Sequence, residues 1–339
     1  MRKFKLAVVG TDSLRGKEIK SILSQERIPL EKIDFFDPDV KEEYSKLTQF
    51  RGEAKVIHQL ESDSLQSADL PFLAADKEIN REIGNLAKKK KFQAIDLSEA
   101  FNAEEEIPVV VAGVNDETVL KKRPFLIANP HPATVILAHL FHLIIQKFGL
   151  LKAVTFILQP VSAFENAGIH ELIDQSVALL NSSTMSKKVF REQIAFNLLS
   201  HTEKPETDGF CPVEKQIVKE IKRVLRDDEF PISLSLILAP VFHTYSIMTF
   251  LEIKKKTDLQ GLKDLFKESA FFRLYPPSRS CPVSSISVAG KKKIYIGQIK
   301  KEESFPNSFW FWTVADNLTR GSAMNAFEIA KKIFSAASK

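Results

Sequence analysis

Residues 5–24 read K-L-A-V-V-G-T-D-S-L-R-G-K-E-I-K-S-I-L-S, and the fold of the first half turns on this stretch. Residues 5–9 form a short apolar run of the kind that makes a buried strand. A glycine turn follows, after which Leu14, Ile19, Ile22 and Leu23 fall on one helical face. A strand, a glycine turn and a helix in that order open a crossover unit of a parallel sheet. In a dinucleotide-binding loop such glycines let backbone amides approach a pyrophosphate at the helix N-terminus. Gly10 and Gly16 occupy the outer positions, but the middle one is Ser13, whose Cβ would crowd the phosphate, and Asp12 adds a negative charge. The G-x5-G spacing alone leaves both a plain strand-to-helix turn and a working nucleotide loop open.

Outward from this turn, strands are expected at 33–36, 70–74, 94–97, 109–111 and 125–128, with a helix at 80–91. After Pro132 a long apolar helix runs to about Phe148 and ends at Gly149. The second half has longer strands at 153–161, 232–241, 246–253, 293–299 and 309–315. Helices near 167–181, 213–226 and 258–268 separate them, which describes a mixed sheet with helices on one face. A last amphipathic helix covers about 318–337. The chain shows no internal repeat and no low-complexity linker.

With 339 residues, 44% of them hydrophobic and 27% charged, the chain has the size of two domains and the composition of a soluble globular protein. The net charge of +5 resides in runs such as 88–91, 254–256 and 291–293, which lack the interleaved aromatics of a nucleic-acid reader. These runs are expected to be solvated faces, with no nucleic-acid partner. Two cysteines, Cys211 and Cys281, argue against a disulfide framework and fit a reducing compartment. The apolar run after the basic N-terminus stops after four residues, too short for a signal peptide, and no stretch reaches membrane-spanning length. A cytoplasmic location with no membrane partner is expected.

Taken together, the motifs resemble those of the aspartate-semialdehyde dehydrogenase family over nearly the whole chain. V-V-G-T-D-S-L-R-G is similar to that family's glycine turn, and A-I-D-L-S-E-A-F with I-P-V-V-V-A-G-V-N (94–115) is similar to the strand and loop beyond it. Q-P-V-S-A-F-E-N-A-G (159–168), I-A-F-N-L-L (194–199), A-P-V-F-H-T-Y-S (239–246) and V-A-D-N-L-T-R-G-S-A-M-N-A (314–326) continue the match in order. The resemblance implies an α/β fold: a Rossmann-type NAD(P)-binding domain over 1–130 and an α+β dimerisation and substrate domain with a mixed sheet over 131–317. Helix 318–339 is expected to pack back on the first domain, and a homodimer is implied.

The family's chemistry uses NADP, a cysteine nucleophile that forms a thioester, a histidine acid/base, and arginines that hold substrate carboxylate and phosphate. Here the nucleophile position is Pro132, which carries no nucleophilic atom. The histidine position is Tyr245, whose phenol titrates near pKa ~10. Leu238 stands for one arginine and Asn102 for the other, and Gln216 stands for a substrate-segment lysine beside the retained Glu214. Gln159, Asn129, Gly168 and the Asp316–Asn317 pair remain. The pattern resembles the Usg-type paralogues, which keep the fold without the catalytic cysteine. The chain therefore reads as a pseudoenzyme with a binding, regulatory or structural role.

A true aspartate-semialdehyde dehydrogenase of the same cell is a possible heteromeric partner. The alternative is an NAD(P)-dependent oxidoreductase acting on a small semialdehyde or acyl phosphate without a thioester. Residual cofactor contacts would come from Gly10, Ser13, Gly16 and Asn317. His131 reads as a turn histidine, and His139 with His142 as core or interface histidines without a third metal ligand. His243 would share a strand face with Tyr245 if the segment is extended.

Overall fold

The computed structural model describes residues 2–41, 46–61, 64–200, 203–275 and 283–337, so Cys281 lies outside the described residues. The chain separates into two compact units, Met1–His131 with Ser322–Lys339, and Pro132–Gly321.

The first unit runs β1 (Phe4–Val9), α1 (Leu14–Gln25), β2 (Leu30–Asp37), β3 (Lys46–Phe50), β4 (Glu53–Gln59), β5 (Leu70–Leu73), α2 (Lys77–Lys90), β6 (Ala94–Asp96), α3 (Glu117–Lys122) and β7 (Leu126–Ala128). The sheet order is β3-β4-β2-β1-β5-β6-β7. With β3 set aside, this is the 3-2-1-4-5-6 order of doubly wound dinucleotide-binding folds, every pair parallel. The hairpin β3–β4 was not expected. It closes on Arg51 and Gly52, both at positive φ (51° and 83°), the geometry of a two-residue hairpin turn, and it makes the sheet mixed.

The expected strand at 109–111 is also absent, reduced to a single bridge between Val109 and Ala128. Two asparagines take over the backbone groups that a neighbouring strand would have used. Asn115 accepts from Val111 N–H and donates to Val109 C=O, while Asn325 accepts from Ala112 N–H and donates to Val110 C=O.

The second unit runs α4 (Pro132–Phe148), β8 (Leu150–Gln159), a 3₁₀ turn (Val161–Phe164), α5 (Glu165–Leu180), α6 (Pro212–Leu225), β9 (Ile232–Leu238), β10 (Tyr245–Ile253), α7 (Leu259–Glu268), β11 (Phe272–Leu274), α8 (Ser285–Val288), β12 (Ile294–Lys301) and β13 (Ser308–Ala315). Its six-stranded mixed sheet has the order β11-β12-β13-β10-β8-β9. Alternate residues Ala153, Ile157, Ile247, Leu251, Phe309 and Phe311 pack on Ile136, Leu140, Phe141, Ile217, Ile221 and Phe266 of the helices. β8 and β9 stop short of the expected 161 and 241 because Pro160 and Pro240 cannot donate to a ladder.

The final helix α9 (Met324–Ala337) begins later than expected, after a π-helical turn at Thr319–Ala323. Ala326, Phe327, Ile329, Ala330 and Phe334 of α9 enter the core of the first unit, with Phe334 stacked on Phe4 at 4.2 Å. Among the described residues no helix is long and apolar enough to cross a membrane.

Candidate functional site

The residues singled out from sequence fall in both units. In the first unit the turn between β1 and α1 is fixed by glycine. Gly10 has φ +76°, and a Cβ there would stand 2.4 Å from Ala75 N; a Cβ on Gly16 would stand 1.9 Å from Gly10 O. Ser13 is the N-cap of α1 in extended conformation (φ −61°), so glycine is not required there. Its Oγ accepts from Gly16 N–H (2.9 Å) and lies 2.7 Å from Ala74 O and 2.9 Å from Gly10 O, either of which can take its proton. The Ser13 hydroxyl is thus tied into the fold, turned toward backbone groups of the turn itself. Asp12 forms an ion pair with Lys46, and this partner raises the Lys46 ammonium above its ordinary pKa.

Asn102 is buried after β6. Asn129 donates its backbone N–H to Asp96 C=O (2.9 Å), and its Oδ1 accepts from Asn325 (2.8 Å). His131 is buried. The D-x-S-x-A stretch proves to be a carboxylate cage. Fully buried Asp96 accepts from Asn80, from the amide and hydroxyl of Ser98, and from the Ala100 amide. Desolvation pushes its pKa up against these hydrogen bonds.

In the second unit Pro132 is the first residue of the seventeen-residue α4, where a missing N–H and fixed φ cost nothing. It packs tightly against the backbone of Gly321: a Cβ built there would fall 2.7 Å from Pro132 Cβ. Leu158 pairs with Ser246 and Leu238 with Gln159, so Gln159, Tyr245 and Leu238 end three adjacent strands. Tyr245 and Leu238 are fully buried. Leu238 joins Val161, Leu172, Phe190, Ile194 and Ala195 in a small apolar cluster, so a core filler stands where the resemblance places an arginine. Gln159 is 5% exposed, and its Oε1 has no hydrogen-bond partner among the described residues.

His243 does not share a strand face with Tyr245. Thr244 between them has φ +77°, a strained value for a β-branched residue, and β10 begins only at Tyr245. Asn317 holds that kink: its Oδ1 accepts from Thr244 N–H (3.0 Å), and its amide also bonds Ser162 Oγ. Asp316 accepts from Leu318, Thr319 and Gly290 amides and so launches the closing turn.

Glu214 caps α6. Its carboxylate accepts from Cys211 N–H and from Leu236 N–H, both at 2.8 Å, so two fold-building contacts occupy the side chain carried over as a substrate group. Cys211 is the buried N-cap of that helix, and desolvation raises its thiol pKa, which disfavours the thiolate. His139 stacks on Phe271 at 4.1 Å, and burial, Arg320 and His142 hold its pKa well below the ordinary value, so it stays neutral. His142 bonds Gln146.

Sequence reading missed three polar features. Glu220 on the buried face of α6 accepts from Thr134 Oγ1 (2.6 Å) and from Gln216 (2.8 Å). A charged residue within the apolar stripe Ile217, Ile221 and Val224 was the available signal. Arg320, 1% exposed, lies over the Phe271 ring. Asp37 ends β2 beside the glycine turn, an acidic strand end that the sequence does display.

Comparison with known proteins matches this geometry along the chain. Residues 5–122 match the semialdehyde dehydrogenase NAD binding domain, and residues 142–320 match the semialdehyde dehydrogenase dimerisation domain. Aspartate-semialdehyde dehydrogenases of Rickettsia bellii and Aquifex aeolicus are each 26% identical, over 98% and 97% of both chains respectively. A crystal structure of aspartate semialdehyde dehydrogenase II from Vibrio cholerae complexed with ASA superposes with TM-score 0.92 at 23% identity over 99% of each chain. The Candida albicans enzyme with NADP gives 0.73 at 14% identity, over 99% of each chain. Both units, in one chain and in this order, place the protein in the semialdehyde dehydrogenase family.

Proposed function

We propose that this chain is a semialdehyde dehydrogenase homologue that does not run thioester chemistry and acts as a binding or regulatory subunit. The observation that carries this reading is Pro132 at the first position of α4, where the resemblance requires a thiol. Buried Tyr245 and Leu238 at the base and anchor positions support it, because neither offers a proton acceptor at neutral pH or a cation. With aspartate semialdehyde, phosphate and NADP the purified protein is expected to form no NADPH above background. Pro132→Cys is expected to stay silent as well, since a thiol alone restores neither base nor anchor. NADPH formation by the wild type sinks the reading; formation by P132C alone removes base and anchor loss from the argument.

The subunit role implies self-association through the second unit. The face of its sheet opposite the helices carries Val154, Phe156, Leu158 and Met248, with Phe156 45% exposed. That apolar patch suits a second copy of the chain, or a true aspartate-semialdehyde dehydrogenase. Phe156→Glu buries an unpaired charge in such an interface and should weaken dimerisation by roughly 100-fold. Sedimentation across a concentration series measures it, and an unchanged mass distribution counts against this face.

A second reading keeps an oxidoreductase of altered chemistry acting on a small semialdehyde. Two observations favour it: among the described residues Gln159 Oε1 has no hydrogen-bond partner, and neither has Nδ1 of His243, which stands beside the strained Thr244. Turnover of any small aldehyde with NAD or NADP would establish it.

A further inference from the structure

The first unit matches an NAD binding domain, and its residues fit a dinucleotide. Gly10 turns at positive φ, Ser13 is tied inward, Lys46 balances Asp12, and α1 presents its N-terminus at the order switch between β1 and β5. When bound, such a cofactor would supply a nicotinamide able to accept or donate hydride.

We infer that Asp37 makes this site select NAD and reject NADP. The inference rests on the reading that the first unit binds a dinucleotide at all. Asp37 is the last residue of β2, and the parallel register pairs the preceding Phe36 with Val9, the residue before Gly10. The Asp37 carboxylate therefore stands beside the glycine turn, where its Oδ2 accepts from Asp12 N–H at 3.2 Å. Its Oδ1 accepts from Asp39 N–H at 3.3 Å. Asp37 is 5% exposed, its two side-chain bonds among the described residues are long and to backbone, and each oxygen keeps a lone pair for another donor.

At the end of the second strand of this sheet order, a carboxylate receives the vicinal hydroxyls of an adenosine ribose. Ribose hydroxyls donate hydrogen bonds and gain from an anionic acceptor. A 2′-phosphate brings further negative charge and donates little, so it meets repulsion from Asp37. Lys46, a cation of this corner, is engaged by Asp12. A turn-capping role for Asp37 would involve the same backbone bonds but would not distinguish the two cofactors.

Isothermal titration of the full chain with NAD and with NADP tests this, using wild type, Asp37→Ser and the shape-preserving Asp37→Asn, with circular dichroism as the fold control. Wild type should bind NAD about tenfold or more tighter than NADP. In D37S and D37N the ratio should collapse to within about threefold, with NAD weakened and NADP strengthened. Wild type binding NADP as tightly as NAD overturns the role of Asp37 and leaves the dinucleotide site standing. So does a preference unchanged in both variants. Heat with neither cofactor overturns the inference together with the dinucleotide reading beneath it.

Discussion

Asp96→Ala should destabilise the first unit by about 3–5 kcal/mol and lower its unfolding transition by roughly 10 °C. The carboxylate is fully buried, and no ion pair accompanies it among its described partners. Four donors compensate its charge: Asn80 Nδ2 at 2.9 Å, Ser98 N–H at 3.0 Å, Ser98 Oγ at 2.6 Å and Ala100 N–H at 3.0 Å. Alanine leaves all four facing a void, and a buried donor without an acceptor costs about 1–3 kcal/mol. Asn80 retains one bond, to Leu73 C=O, so part of the loss is cushioned. Asp96→Asn keeps the shape but turns one acceptor into a donor, and should cost roughly half as much. Thermal and urea melts measure both variants. A shift for D96A within about 3 °C would mean that the cage contributes little.

Glu171→Ala should free the loop at 186–195 and cost about 3–5 kcal/mol in the second unit. Glu171 on α5 is 4% exposed, and its carboxylate accepts from the amides of Lys188 (2.8 Å), Val189 (2.8 Å) and Phe190 (3.0 Å). One turn later Gln175 accepts from Ile194 and Ala195 amides and donates to Ser186 and Glu192 carbonyls. Two side chains four apart on one helix thus stand in for a missing sheet partner. Hydrogen exchange reads the result directly. The 188–190 amides should exchange at least about 100-fold faster in the variant while those of α4 keep their protection. Equal protection in both proteins would show that the apolar cluster around Phe190 suffices to hold the loop.

The contrast between these two networks explains what the sequence could display. α4 was legible from end to end because Pro132 and Gly149 punctuate an apolar run, and both boundaries hold in the structure. Five strands of the second sheet were legible because their inward residues alternate, whereas β11, three residues long with only Phe272 buried, was not. The β3–β4 hairpin was not: only Phe50 and Ile57 are buried along it, too few to register as a period. The Glu171 network was invisible because its partners are backbone amides of an irregular loop, which leave no pattern in side-chain chemistry. At the candidate site, Pro132, Tyr245 and Leu238 carry information only beside a family motif. On their own terms they are good packing residues, and the structure uses Tyr245 and Leu238 that way.

The closing helix also constrains how the protein is made. The sheet of the first unit precedes the second unit in the chain, yet Phe327, Ile329 and Phe334, which complete its core, come after the whole of the second unit. During synthesis the early sheet therefore emerges without the element that covers Phe4 and Leu6, and must wait for nearly two hundred residues of intervening chain. Until α9 arrives, that apolar surface is open to misassociation.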